Sequence, residues 1–146
     1  MKWSWLQKMN LIDLISKVRR YTRDLTGSLF LVEDIQDFLN EGIDRIRAIP
    51  ELRNMVHLET NTDEVIFLPD EYQYFIALYG ASRCFTQDEQ HYQAEQFMSE
   101  FEAKLMQLER DIGSGKVVIK DKDGNAIVDT SRFDCVEDVY FLESDE

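Results

Sequence analysis

Histidine, cysteine, proline and glycine are scarce in this chain: two, two, two and six residues among 146. Each shortage excludes something. Two histidines and two cysteines leave little for a metal cluster or a disulfide framework, and Cys84 and Cys135 form no CxxC pair. With no secretory context around them, a reducing cytoplasm is the expected setting. Six glycines do not make a glycine-rich phosphate cradle, and there is no P-loop, GxGxxG or GxSxG. The apolar runs are far shorter than the ~20 residues a membrane span needs, so no membrane association is expected. The start, MKWSWLQKMN, has neither an apolar h-region nor a small-residue cleavage site, so no signal peptide is expected.

What the chain has in excess is negative charge. There are 16 Lys and Arg against 29 Asp and Glu, a net charge of −13. That argues against a general nucleic-acid binder, which needs a basic footprint. Hydrophobic residues make up 44%, too many for a disordered acidic tail. The length suits one domain that buries roughly 68–70% of its unfolded surface. The charge is also uneven. Residues 1–58 hold 9 basic and 8 acidic side chains, whereas residues 59–146 hold 7 and 21. The last 26 residues hold 9 acids and 2 bases. Such an acidic end is either a solvated tail or an interaction tail.

Hydrophobic periodicity predicts four helices. The first covers roughly Leu6–Asp24, with Leu11, Ile15, Val18 and Leu25 on one stripe, Leu14 and Tyr21 beside it, and Thr26-Gly-Ser28 as the stop. Ser16, Arg19, Arg20 and Arg23 lie on its opposite stripe. The second covers Val32–Ile49 and ends at Pro50, with Gly42 set to admit a neighbouring helix closely. Residues 55–68 read as a short β-like excursion or an ordered loop. Pro69-Asp-Glu71 opens the third helix, which carries Tyr72, Phe75, Ile76 and Tyr79 to about Phe85. Thr86 or Asp88 caps the fourth. There Ala94, Met98, Phe101, Leu105, Leu108 and Ile112 repeat at alternating spacings of four and three, with Gly113 as C-cap. The period then becomes strand-like around Asp123-Gly124, a tight-turn signal for a β-hairpin. The expected architecture is mainly α: a four-helix bundle with a small C-terminal β-hairpin and an extended C-terminal arm. Its parts are a helical core over 1–112, the hairpin over 113–130 and the acidic arm over 131–146.

Catalytic chemistry is hard to place. Cys84 and His91 are seven residues apart, which on a continuous helix is about 10 Å, too far for proton transfer. Asp121-Lys-Asp-Gly-Asn125 superficially resembles a calcium loop. Its glycine follows the second aspartate directly, and Arg132 stands where the twelfth-position glutamate belongs, so a hairpin turn fits better. The expectation is no enzyme, no cofactor and no metal. Arg19, Arg20 and Arg23 form a candidate phosphate-contact face or simply a solvated helix face. Trp3 and Trp5 either pack back on the core or anchor a partner. In the arm, Phe133, Val136, Val139, Tyr140, Phe141 and Leu142 stand among acids. Such a segment suits strand addition to another protein's sheet edge, or folds back over its own subunit.

The helical stretch resembles the head–tail connector (adaptor) proteins of tailed bacteriophages. The resemblance covers about residues 6–112. It rests on Asn10-Leu-Ile-Asp-Leu-Ile-Ser-Lys-Val18 and on Glu33-Asp-Ile-Gln-Asp-Phe-Leu-Asn-Glu-Gly-Ile-Asp-Arg-Ile46. Phe67-Leu-Pro-Asp-Glu-Tyr72, Ala77-Leu-Tyr-Gly-Ala-Ser-Arg83 and the long helix from Asp88 to Ile112 complete it. It implies a virion protein at the neck, synthesised in the host cytoplasm and assembled as a ring, commonly of twelve copies, beneath the portal protein. The C-terminal arm would dock on the portal, and a downstream tail component would receive the other face. DNA would pass through the channel unread. The competing expectation is an acidic phage-encoded binding or inhibitor module acting on a host protein.

Overall fold

The computed structural model describes residues 9–24, 26–65, 67–121 and 123–127. These residues are mainly helical, with four α-helices: α1 (Leu11–Thr22), α2 (Val32–Ile46), α3 (Phe75–Gln87) and α4 (His91–Gly113). Among the described residues no strand forms, and β pairing is confined to two isolated antiparallel bridges, Asn10 with Glu64 and Lys120 with Ala126.

The centre of the molecule is α3. Every residue from Phe75 to Ser82 is buried, and Cys84 beyond them is buried too. A helix apolar all round has no solvent face and must be enclosed by other elements. Here α1, α2 and α4 all pack against it. Close approach depends on two glycines. A Cβ placed on Gly80 would lie 2.9 Å from Val18 Cγ2 and 3.1 Å from Leu39 Cδ2, so α1 and α2 both press on this point. A Cβ on Gly42 would meet Tyr79 Cβ at 3.1 Å, which bears out the close approach expected at that glycine.

By contrast, α4 is one-sided. Ala94, Phe101 and Leu108 are fully buried, while Met98, Leu105 and Ile112 are partly so, which is the predicted stripe. Phe101 stacks on Phe75 at 5.2 Å and meets the edge of Tyr79 at 5.1 Å. Phe97 stacks on Phe85 at 5.6 Å and tilts against Tyr21 at 5.5 Å. Such ring pairs add about 0.5–1.5 kcal/mol each beyond their buried area.

Several boundaries differ from expectation. The first helix begins at Leu11 rather than Leu6, because Asn10 and Asp13 form a reciprocal capping box. It ends at Thr22, capped by Arg23 in the left-handed conformation (φ 61°) ahead of the expected Thr26-Gly-Ser28 stop. The second helix stops at Ile46, and Pro50 begins a separate 3₁₀ turn, Pro50–Leu52. Pro69 likewise precedes a 3₁₀ turn, Asp70–Tyr72, and α3 proper starts at Phe75. Neither Thr86 nor Asp88 caps α4: the Thr86 hydroxyl donates back to Ser82 O, and Gln90 precedes the helix with no side-chain cap bond.

The segment between α2 and α3 is an ordered loop rather than a β excursion. Met55, Leu58, Val65 and Leu68 point into the core. Amide side chains hold its backbone. Asn40 accepts from Leu58 N (2.8 Å) and donates to Leu58 O (3.1 Å), with Gln36 donating to the same carbonyl. Buried Gln73 donates to Val65 O and Leu68 O and accepts from Met9 N. After α4, Ile119 is buried, and Asp121 closes a turn by accepting from Asp123 N and Asn125 N, each at 2.9 Å. Ile127 N donates to Ile119 O beside the Lys120–Ala126 bridge. Residues 128–130 of the expected hairpin and the whole arm lie outside the described residues.

Gly80→Ala tests the helix packing. Alanine is about 1 kcal/mol better than glycine in a helix interior, yet the added methyl meets a stiff β-branched side chain in a filled core. The expected net result is a loss of about 1–2 kcal/mol in urea unfolding. An unchanged or increased stability would show that the three helices are not held this closely.

Candidate functional site

The basic stripe expected on α1 is divided in the fold. Arg20 and Arg23 are exposed. Arg19 turns inward: its Nη1 lies 2.8 Å from Asp24 Oδ2 and also donates to Phe30 O. Asp24 is 2% exposed and accepts from Leu29 N and Phe30 N as well. This knot fixes the α1–α2 connection and occupies the guanidinium that the stripe would present to a phosphate. Desolvation alone would raise the Asp24 pKa. The amide hydrogens of Leu29 and Phe30 and the Arg19 charge outweigh it and hold the carboxyl below its usual range.

One recess joins three helices. A hollow of about 340 Å³ opens between Tyr21 of α1, Tyr74 and Leu78 at the head of α3, and Ala103 and Lys104 of α4. Lys17 Nζ sits 5.9 Å from the ring centroids of both Tyr21 and Tyr74, and Lys104 Nζ sits 5.8 Å from that of Tyr74. The Tyr74 ring is therefore flanked by two ammonium groups, an arrangement stabilised by the ring's negative face. Glu100 supplies the recess with its one carboxylate. Burial, then the neighbouring Tyr74 and Glu100, push the Tyr21 hydroxyl upward against the opposing pull of Arg20. Tyr21 is thus a neutral hydroxyl at physiological pH. An apolar floor, two rings and a cationic rim suit an apolar or aromatic side chain with acids beside it. The sequence offered one clue, Lys17 and Tyr21 at helical i,i+4 spacing. Tyr74 and Lys104 join them only through tertiary packing.

Cys84 and His91 are not arranged as a dyad. Cys84 is fully buried, and desolvation pushes its thiol up to about 12. His91 is exposed at the start of α4 and lines a different hollow with Ser82, Thr86 and Ala94. His57 is paired elsewhere, with Asp44 at 2.8 Å. Among the described residues no group of three or more His, Cys, Asp or Glu could hold a metal ion, and no helix is long and apolar enough to cross a membrane. Trp3 and Trp5, and Phe133, Val136, Val139, Tyr140, Phe141 and Leu142 of the arm, lie outside the described residues. Comparison with protein-family models, curated proteins and solved structures finds no match for this chain.

Two outcomes follow from these placements. Asp24→Asn leaves Arg19 without its charge partner in a buried setting and should lower stability by about 3 kcal/mol at pH 7. Because the folded carboxyl has the lower pKa, its contribution is present above the unfolded value near 3.9 and is lost as pH falls through the folded value. Urea melts from pH 7 to pH 2 should therefore show a shallower acid loss in Asp24→Asn than in the parent; parallel curves would contradict the assignment. Iodoacetamide at pH 8 should leave Cys84 unmodified in the folded chain and alkylate it only in denaturant, as read by peptide mass.

Proposed function

We propose that this chain is a structural subunit of a bacteriophage head–tail connector, a ring of non-catalytic helical modules that extends the DNA channel beneath the portal. The observation that carries the reading is the contrast between two outer helix faces. On α1 the exposed charges include Arg20 and Arg23, with Lys17 beside them; on α2 the first turns expose Glu33 and Asp37. A cyclic ring needs two different, complementary faces on each subunit, and opposite charge sets their pairing and register. Beside them, Leu29 and Leu31 are 62% and 66% exposed, with Val32 following, which offers an apolar ledge for a neighbour.

In this reading the helical core makes the ring, twelve copies in the family it resembles. The hairpin over 113–130 and the arm over 131–146 reach the portal. Phe133, Val136, Val139, Tyr140, Phe141 and Leu142 are the docking anchors, and a downstream tail component binds the opposite side. DNA passes without being read, and no cofactor takes part.

The test combines the purified chain with a portal complex and images the product by electron microscopy. Rings on the portal are expected. Arg20→Glu with Arg23→Glu should abolish them, and adding Glu33→Lys with Asp37→Lys should restore them in part. Phe141→Asp should weaken portal attachment at least tenfold, a change of about 1.4 kcal/mol. A 1:1 salt-sensitive complex with a basic host protein, and no ring in the particle neck, would overturn the assignment in favour of an inhibitor module.

A further inference from the structure

The recess between α1, α3 and α4 adjoins the α1 face just described and shares Lys17 with it, and its chemistry matches one segment of this same chain. We propose that it seats the C-terminal arm in cis, an apolar anchor from Val139–Leu142 entering between Tyr21 and Tyr74 while the adjoining acids meet Lys17 and Lys104.

Charge and shape support this pairing. The cations at the recess are Lys17 and Lys104, with Arg20 close to Tyr21, against Glu100 alone. The arm is opposite in sign: Glu137, Asp138 and Glu143 bracket the run Val139-Tyr-Phe-Leu142, and Arg132 is its one base. Buried Leu78 at the floor, with exposed Ala103 beside it, accepts an apolar side chain, and the two tyrosine rings accept an aromatic one.

Reach supports it too. The chain is last described at Ile127, tied to buried Ile119. That region joins the end of α4, where Val117 N donates to Asp111 O. From Asp111 back to Lys104 is two helical turns, roughly 10 Å. The stretch from Ile127 to Val139 spans up to about 40 Å when extended. A random coil of that many residues would average about 20 Å end to end. A tether of this length supplies the arm at an effective concentration near millimolar, so even a weak individual contact is occupied. The seat covers the arm's apolar residues in the free subunit, whatever the arm binds later, so it stands or falls separately from the connector assignment.

The test uses the full chain and its own Cys135. A nitroxide is attached there, with buried Cys84 left unreacted, and amide signals are recorded on the ¹⁵N-labelled protein. Signals of Tyr74, Leu78 and Lys104 should lose more than half their intensity relative to the reduced label. Lys17→Glu with Lys104→Glu, or Tyr140→Ser with Phe141→Ser in the arm, should restore them; the second pair lies outside the helical core and keeps the test valid if the first perturbs folding. A sample mixing ¹⁵N chains without label and unlabelled-isotope chains with nitroxide should show no loss. Absence of broadening at the recess, broadening that survives both pairs of substitutions, or loss appearing in the mixed sample would overturn the proposal, the last by placing the arm in a second copy.

Discussion

The enclosure of α3 is the constraint on which the other elements depend. A helix buried from Phe75 through Ser82 has no face left for water, so its neighbours cannot be removed one at a time. Three helices can surround it only because it is narrow where they meet: Ala77, Gly80, Ala81 and Ser82 replace bulk along its length. Packing at this density transmits any added volume directly to Val18 and Leu39. Bulk is supplied instead by the partners, chiefly Phe101 against Phe75 and Tyr79. The Ser82 hydroxyl, donating to Ala94 O at 2.7 Å, satisfies itself without water and locks α3 to the start of α4.

Around that hub, polar side chains do the work that strand ladders do in other folds. The loop between α2 and α3 carries backbone groups close to the core, and such groups need partners. Asn40 offers Leu58 both an acceptor and a donor, as a neighbouring strand would. Asp63 gathers Glu59 N, Thr60 N and the Thr60 hydroxyl, which holds its own carboxyl below the usual range. Tyr72 closes the far side by donating to Asp111 at 2.7 Å. The loop is therefore a rigid wall of the domain, although its described residues form no regular element beyond two short 3₁₀ turns.

How much of this was legible in the sequence depended on exposure. The stripe of α4 was readable because one face meets water and the other meets α3. The boundaries of α3 are blurred because burial on all sides erases the contrast that periodicity measures, and no spacing marks Gly80 as a contact point within an apolar run. Asn10 and Asp13 carried a capping signal three residues apart, but the apolar pattern upstream invited a longer helix. Pro50 and Pro69 were read as helix boundaries, whereas each introduces a separate tight turn. A helical wheel placed Arg19 with Arg20 and Arg23 because it registers the direction of Cβ. It cannot register a long side chain bending back to a buried carboxylate beyond the helix end. The recess was illegible for a related reason: its rings and ammonium groups come from three helices whose meeting is decided by the hub.

The attachment of the chain ahead of α1 has a mechanical meaning. Met9 N is held by Gln73, Val65 N by Met9 O, and Leu11 N by Asp63 O, so residues 9–11 are clasped side-on by the loop and by the residue leading into α3. A pull along the preceding chain would load these bonds together, in shear, before it reached the first turn of α1. The tension would enter the domain beside its most enclosed helix and bypass the exposed surfaces. A tether fixed at that end would thus tug on the keystone, and the domain would resist as one block instead of fraying from its edge.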